Sequence, residues 1–412
     1  QRVSNSTNQV WLTGASIALL LANLLAVVLI SLKMPGITDN SLIQGIFRQV
    51  LVYHVNLSML YWMPLICCAL WVSFFDISFK IQRVSLMLCS ISAVLLLGSV
   101  FIPQSLISLS NYVPVKHSVI FYSAIGCQML SVCIIAAAAL RGSWHNGNLA
   151  QRSLRLAALC MLLGALSIPY SLGLIVSPEP EQIFWAYGHI QQSVNALVIG
   201  ALWAHFFQAK LSIMSRFILA IIPISLLFCL VMMLVQGLNF RMFFTIQMST
   251  ISWLGMLISA SYFHNKNSQQ SLVSLSIVVA LLGILAGFNI TPNSLTIPAH
   301  YHGMTGAFNL VAIAYFVAKN LQGYQRWLPF GYATGLVVLI SGLTWAGNLG
   351  VVRKLAGDSQ QLSTVNHQLA MLVVAIGALI AIISSVLIIN CHLSKLRKNL
   401  KIEKEFVIKA IS

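Results

Sequence analysis

The sequence predicts an all-α protein that crosses a membrane about twelve times. Three observations predict it. Hydrophobic residues make up 58% of the 412-residue chain and charged residues only 7%, where soluble domains carry about 25% charged residues. Apolar stretches of about 20 residues recur from end to end, each long enough to cross roughly 30 Å of hydrocarbon as a helix. The short alternating segments of a membrane barrel do not occur. Mean hydropathy is +0.88.

The apolar stretches place spans at 10–33, 49–75, 84–103, 114–140, 153–176, 182–208, 215–237, 240–263, 272–288, 295–318, 328–350 and 365–392. Turn residues support the divisions: Pro35-Gly36, Pro178-Glu179-Pro180 and Thr291-Pro292-Asn293. The first stretch is too long for a signal-peptide core and reads as a retained helix. No long linker, soluble insert or short-period repeat is evident. Residues 1–392 therefore read as a single membrane domain, followed by a basic tail at 393–412.

The basic residues orient the spans. Loops after even-numbered spans and the tail hold sixteen of the 23 Lys and Arg, among them Lys80, Arg83, Arg141, Arg152, Arg155, Lys210, Arg216, Lys266, Lys319 and Arg326. Cytoplasmic loops carry such an excess, which puts both termini in the cytoplasm of a bacterial-type inner membrane. The net charge of +16 is thus topological and does not indicate nucleic-acid binding. The tail, with Lys395, Arg397, Lys398, Lys401, Lys404 and Lys409, is expected to lie against anionic headgroups. The eight cysteines form no CxxCH or CxxC motif and read as small apolar packing residues.

Histidine placement carries the chemistry. Pro298-Ala299-His300-Tyr301-His302-Gly303 lies about one turn inside the tenth span. Residues two apart on a helix point roughly 200° apart, so one helix can offer imidazoles to two ligands on opposite faces. An imidazole inside a membrane is costly unless something binds it. The pair therefore points to two metal centres, haems foremost. His54 near the start of span 2, His189 near the start of span 6, and His300 and His302 would all lie about 7–12 Å below the outer surface. His54 and one of the two histidines of this pair are expected to form the bis-imidazole pair of a low-spin haem. The other would hold a second haem with an open side for a small gas. His189 is read either as a group facing that open side or binding a second metal, or as a packing residue. Arg353 and Lys354, a basic pair on the outer side, are expected to clamp haem propionates. His117 and His367 read as interfacial polar residues. His145, His205, His264 and His392 read as solvated or headgroup-facing on the inner side.

With these residues placed, the chain resembles subunit I of the haem-copper oxidase superfamily, which includes cytochrome oxidases and nitric oxide reductases. The resemblance covers nearly the whole chain in helix number and histidine placement. Tyr53-His54-Val55-Asn56-Leu57 matches the family's helix-2 haem ligand, most like the nitric oxide reductase and cbb3-like branches. His300 and His302 match its helix-10 His-x-His, which implies His300 as proximal ligand of the high-spin haem and His302 as partner of His54. Gly350-Val351-Val352-Arg353-Lys354 matches the loop that holds propionates. Phe184-Trp185-Ala186-Tyr187-Gly188-His189 resembles the helix-6 motif whose histidine binds copper.

The departures are equally specific. In oxidases the helix-6 histidine is followed by Pro-Glu-Val-Tyr; here Ile190, Gln191, Gln192 and Ser193 follow. The two adjacent helix-7 histidines are missing, and Arg241 to Met248 echoes that segment without them. One imidazole without a carboxylate makes a poor copper site. All seven acids, Asp39, Asp76, Glu179, Glu181, Asp358, Glu403 and Glu405, fall in loops, at helix ends or in the tail, so the carboxylate relays of proton pumping are not expected. The resemblance implies two b-type haems and an electron-transfer or gas-reducing subunit acting on O2 or NO. Electrons would arrive from a cytochrome c, a quinol or a partner subunit. A non-enzymatic haem carrier, sensor or assembly protein is the alternative, favoured by the missing copper ligands.

Overall fold

The computed structural model describes residues 2–38, 40–102, 106–142, 144, 147–174, 179–235, 238–263, 268–360 and 362–411. Asp39, His145, His264 and Lys266 lie outside the described residues. A helix stands at each expected span: α1 (Arg2–Lys33), α2 (Ser41–Asn56) continued by a π-helical segment (Leu57–Trp62) and α3 (Met63–Phe74), α4 (Phe79–Val100), α5 (Val119–Ala139), α6 (Leu149–Leu174), the short α7 (Pro180–Ile183), α8 (Trp185–Phe206), α9 (Ile213–Met232), α10 (Phe240–Thr250) with α11 (Leu254–Ala260), α12 (Ser268–Phe288), α13 (Thr296–Phe316), α14 (Leu328–Asn348) and α15 (Val365–Ile411). Ten helices, among the described residues, are long and apolar enough to cross a membrane. The chain is therefore an all-α, multi-pass membrane protein. α8 and α13, which carry His189, His300 and His302, are outside those ten because polar residues dilute their apolar runs.

Several boundaries differ from expectation for local reasons. The second helix begins at Ser41, about two turns before the expected 49, so His54 stands about 20 Å along it rather than near its start. The fourth helix starts at Val119 instead of 114, because residues 106–117 form a hairpin with β1 (Ile107–Ser108) antiparallel to β2 (Val115–Lys116). The eighth span is broken at 251–253, where Ser252 accepts from Ser193 Oγ (2.6 Å) and donates to Gln247 Oε1 (3.0 Å). The tail continues α15 as helix to Ile411.

Chain contacts divide the molecule into two compact units, Gln1–Ala15 with Arg48–Asn265, and Ser16–Phe47 with Lys266–Ser412. In the first unit α4 packs along α5 and α6 along α8. Apolar side chains give little preference between lipid and protein, so small residues and hydroxyls hold such pairs. Ser85 and Ser131 each donate to the other's carbonyl at 2.6 and 2.7 Å. Tyr61 meets Ser92 at 2.5 Å, and Ser92 donates to Ala124 O at 2.6 Å. Lys116 Nζ donates to Ser99 O (2.9 Å), Val100 O (3.4 Å) and Ile102 O (2.7 Å), which satisfies carbonyls left open at the C-terminus of α4.

In the second unit α12 packs along α13 and α14 along α15. Lys33, at the end of α1, gathers the 351–360 loop. Its Nζ donates to Val352 O (3.2 Å), Leu355 O (2.7 Å) and Gln360 Oε1 (3.1 Å), and lies 5.3 Å from the Phe47 ring centre. Gln360 returns a bond to Lys33 O at 3.2 Å, and Gln44 reaches Ala356 O at 2.9 Å. Lys33→Met keeps the length and removes every donor. Hydrogen bonds from a charged group contribute about 1.5–3 kcal/mol. The expected result is a lower melting temperature with faster amide exchange confined to 351–360, measured by hydrogen–deuterium exchange. Unchanged exchange there would show that the loop does not depend on Lys33.

Candidate functional site

His300 and His302 sit in the first two turns of α13, and their surroundings assign each ring nitrogen. His300 donates from Nδ1 to Gly283 O on α12 at 2.8 Å. The ring is thereby fixed as the tautomer with a lone pair on Nε2, and that Nε2 is buried with no hydrogen-bond partner. His302 donates from Nδ1 to Pro298 O, one turn back, at 2.7 Å, which also leaves its Nε2 as the lone-pair nitrogen. A backbone carbonyl on one ring nitrogen and a free lone pair on the other is the arrangement that orients metal-binding imidazoles.

Close helix packing makes the His300 bond possible. Gly283-Ile-Leu-Ala-Gly287 is a GxxxG face turned to α13. A Cβ on Gly303 would stand 2.2 Å from Gly283 Cα, and one on Gly287 would stand 2.8 Å from His300 Nδ1. Only hydrogen at these positions lets the α12 backbone reach the ring.

His54 lies half-buried on α2, and its neighbours explain the run around it. Tyr53, on the same helix face as Asn56, meets Ser99 Oγ at 2.9 Å, and Asn56 donates to Val52 O and Pro114 O, both at 2.8 Å. Tyr53 and Asn56 thus anchor the helix and hold His54 on a different face, since one residue turns about 100°. The π-helical turn begins three residues later, where Met63 N donates to Ser58 O. Such turns are frequently found at functional sites. His54 belongs to the first unit, His300 and His302 to the second.

His189 is fully enclosed in the first unit. Its Nδ1 donates to Trp185 O at 2.9 Å, and its Nε2 accepts from the Tyr112 hydroxyl at 3.2 Å. The Trp185, Tyr112 and Phe244 rings stand 4.7, 5.0 and 6.1 Å from it, and the Arg241 guanidinium lies 4.9 Å from the Trp185 ring. Tyr112 comes from the hairpin loop, where the Glu181 carboxylate accepts from Asn111 N (2.7 Å) and from the Asn111 side-chain amide. Gly188 makes room for it, because a Cβ there would fall 2.0 Å from Tyr112 Cγ. Gly188→Val is therefore expected to expel the Tyr112 ring and expose His189. Diethyl pyrocarbonate labelling read by mass spectrometry checks this: His189 should be protected in the native protein and modified in the variant.

Arg353 and Lys354 are partly buried in the loop held by Lys33. Arg353 N donates to Asn293 O at 3.0 Å, Leu295 N donates to Val351 O at 3.1 Å, and Ser294 bridges to Val352. The basic pair is therefore tied to the segment that leads into the His300 helix. Among the other histidines, His117 is bound by Ser108 (2.8 Å) and Tyr122 (3.1 Å), and His367 by Thr364 (2.7 Å) and Leu349 O (3.1 Å). His205 is exposed, whereas His392, expected at a solvated surface, is only 8% exposed.

Sequence reasoning missed Tyr112, Glu181, Lys33 and Gly283. The GxxxG face was readable in the sequence. The Tyr112 contact with His189 was not, because 77 residues separate the two. Among the described residues, no three His, Cys, Asp or Glu side chains gather in a way that could hold a metal ion.

No family model matches the chain. It is similar to an uncharacterized protein of Rickettsia prowazekii (strain Madrid E), with 23% identity over 487 aligned positions that cover 94% of this chain and 95% of that protein.

Proposed function

We propose that the chain is a twelve-helix membrane haem protein akin to subunit I of the haem-copper oxidases, with two b-type haems. His300 would hold one haem, which would supply O2 or NO binding. His302, and by the family resemblance His54, would hold a second, which would supply electron transfer. Arg353 and Lys354 hold propionates. The single observation that carries the reading is His300: a partly buried imidazole whose Nδ1–H is committed to Gly283 O and whose Nε2, itself buried, has no hydrogen-bond partner. Burying such an acceptor without a bond costs about 1–3 kcal/mol, which a bound metal would offset.

The donor chemistry suits iron and does not extend to copper. Neutral imidazoles are common haem ligands. His189 Nε2 is already occupied by the Tyr112 hydroxyl, and Gln191 and Ser193 stand where the family carries a carboxylate and a phenol. When bound, haem would supply one-electron transfer and gas binding. The residues of this chain fix the imidazole tautomers, shield the His300 Nε2 and would hold the propionate side in place. Among the described residues no carboxylate is buried, which supports a protein that does not pump protons. Both termini face the cytoplasm of a bacterial-type inner membrane, and electrons come from a cytochrome c, a quinol or a partner subunit.

A visible spectrum with metal analysis of the purified protein tests this. Two haems per chain are expected, one low-spin and one reacting with CO when reduced. A colourless protein would end the reading. The alternative, a haem carrier, sensor or assembly protein, is favoured by the absent copper ligands. Steady turnover of O2 or NO with a cytochrome or quinol donor would exclude it.

A further inference from the structure

The first unit contains a polar side chain that its own helices leave unsatisfied. Gln128 on α5 is 1% exposed, and neither its Nε2 nor its Oε1 has a hydrogen-bond partner. It lines a small cavity with Leu60, Pro64, Cys133, Met161 and Tyr187. The space suffices for about one water molecule. Two unpaired amide atoms in a membrane interior are costly, since no solvent reaches them.

The cavity wall offers matching partners. Tyr187 donates its hydroxyl proton to Gln191 Oε1 at 3.2 Å, so its oxygen still has lone pairs to accept with. Leu60 and Pro64 lie where the π-helical segment passes into α3. Gln128 contributes both an N–H and an oxygen.

We infer that this cavity is a binding site for a single water molecule, which accepts from Gln128 Nε2 and donates to the Tyr187 hydroxyl oxygen. The requirement for a ligand that both donates and accepts selects water. A metal ion drawn to the Cys133 and Met161 sulfurs would leave the Gln128 N–H unpaired, and an apolar gas would leave both amide atoms unpaired. Buried waters typically make about three hydrogen bonds, which Gln128 Nε2, Gln128 Oε1 and the Tyr187 hydroxyl supply. With the water in place, a polar chain runs from Gln128 through Tyr187 and Gln191 to Asn195 Oδ1, which Gln191 Nε2 reaches at 3.1 Å. The chain braces α5 against α8, independently of any haem.

The test is a structure of the whole protein at a resolution that shows ordered water, with anomalous data at the copper edge, together with melting temperatures of Gln128→Leu, Tyr187→Phe and the double variant. The expected result is one density peak within hydrogen-bond distance of Gln128 and Tyr187, without anomalous signal. Each single variant should lower the melting temperature by about 2 °C. The double variant should be no worse than the lower single, because both remove the same bridge. An empty cavity at that resolution, an anomalous peak, or strictly additive losses would overturn the inference. A rise in melting temperature for Gln128→Leu would overturn it too, since removing unsatisfied atoms stabilises only if no water pairs them.

Discussion

Replacing His300 by alanine should abolish the CO-reactive haem and leave the low-spin spectrum in place. The imidazole is the only protein ligand proposed for that iron, and its Nδ1 bond to Gly283 O at 2.8 Å sets the angle at which Nε2 is presented. His302→Ala should do the reverse: the low-spin bands disappear while CO recombination after flash photolysis persists. Haem content by pyridine haemochrome should fall from two to one per chain in each variant. The separation is the informative part, because the two rings lie on one helix only two residues apart. A variant that loses both signals together would indicate global damage or one shared centre. Identical spectra in His300→Ala and the parent would remove His300 from the iron.

Gly303→Leu should be the most damaging single change that touches no proposed ligand. Its first side-chain carbon would overlap Gly283 Cα at 2.2 Å, so α12 and α13 must separate. Overpacking a close-packed interface typically costs about 1–3 kcal/mol, occasionally more, and a backbone-to-backbone clash belongs at the upper end. Separation also pulls Gly283 O away from His300. The expected readout is a large drop in melting temperature and loss of the high-spin haem. Gly303→Ala, with a smaller intrusion, should fall between. If Gly303→Leu folds and binds CO as the parent does, the glycine contact does not position His300.

The all-helical, membrane-spanning character was legible in composition, since 20-residue apolar runs have few other stable solutions. Ten of the expected spans are matched, among the described residues, by helices long and apolar enough to cross a membrane. The misplaced boundaries share a cause. Periodicity and hydropathy do not register a hairpin such as 107–116, a helix that starts early at Ser41, or a break such as 251–253, where polar contacts from other helices decide the backbone. Of the candidate site, the His-x-His pair and the His54 run were readable because histidine is rare and costly in apolar sequence. Their tautomers were not, because those depend on carbonyls supplied by neighbouring turns and helices. His189 shows the contrast most clearly. Its motif was visible, but Tyr112, which occupies its Nε2, is brought to it only by the Glu181 clamp on the hairpin.

By itself the sequence determined what must be buried: where apolar runs demand helices and where imidazoles interrupt them. Tertiary structure alone decided which nitrogen of each histidine is committed and which is left with a lone pair. It also decided which lysine holds which loop, and that Gln128 faces a cavity. The reason is physical. Helix formation is satisfied within one segment, whereas hydrogen-bond partners for a buried polar side chain come from residues far away in the chain, and only packing brings them within three ångströms.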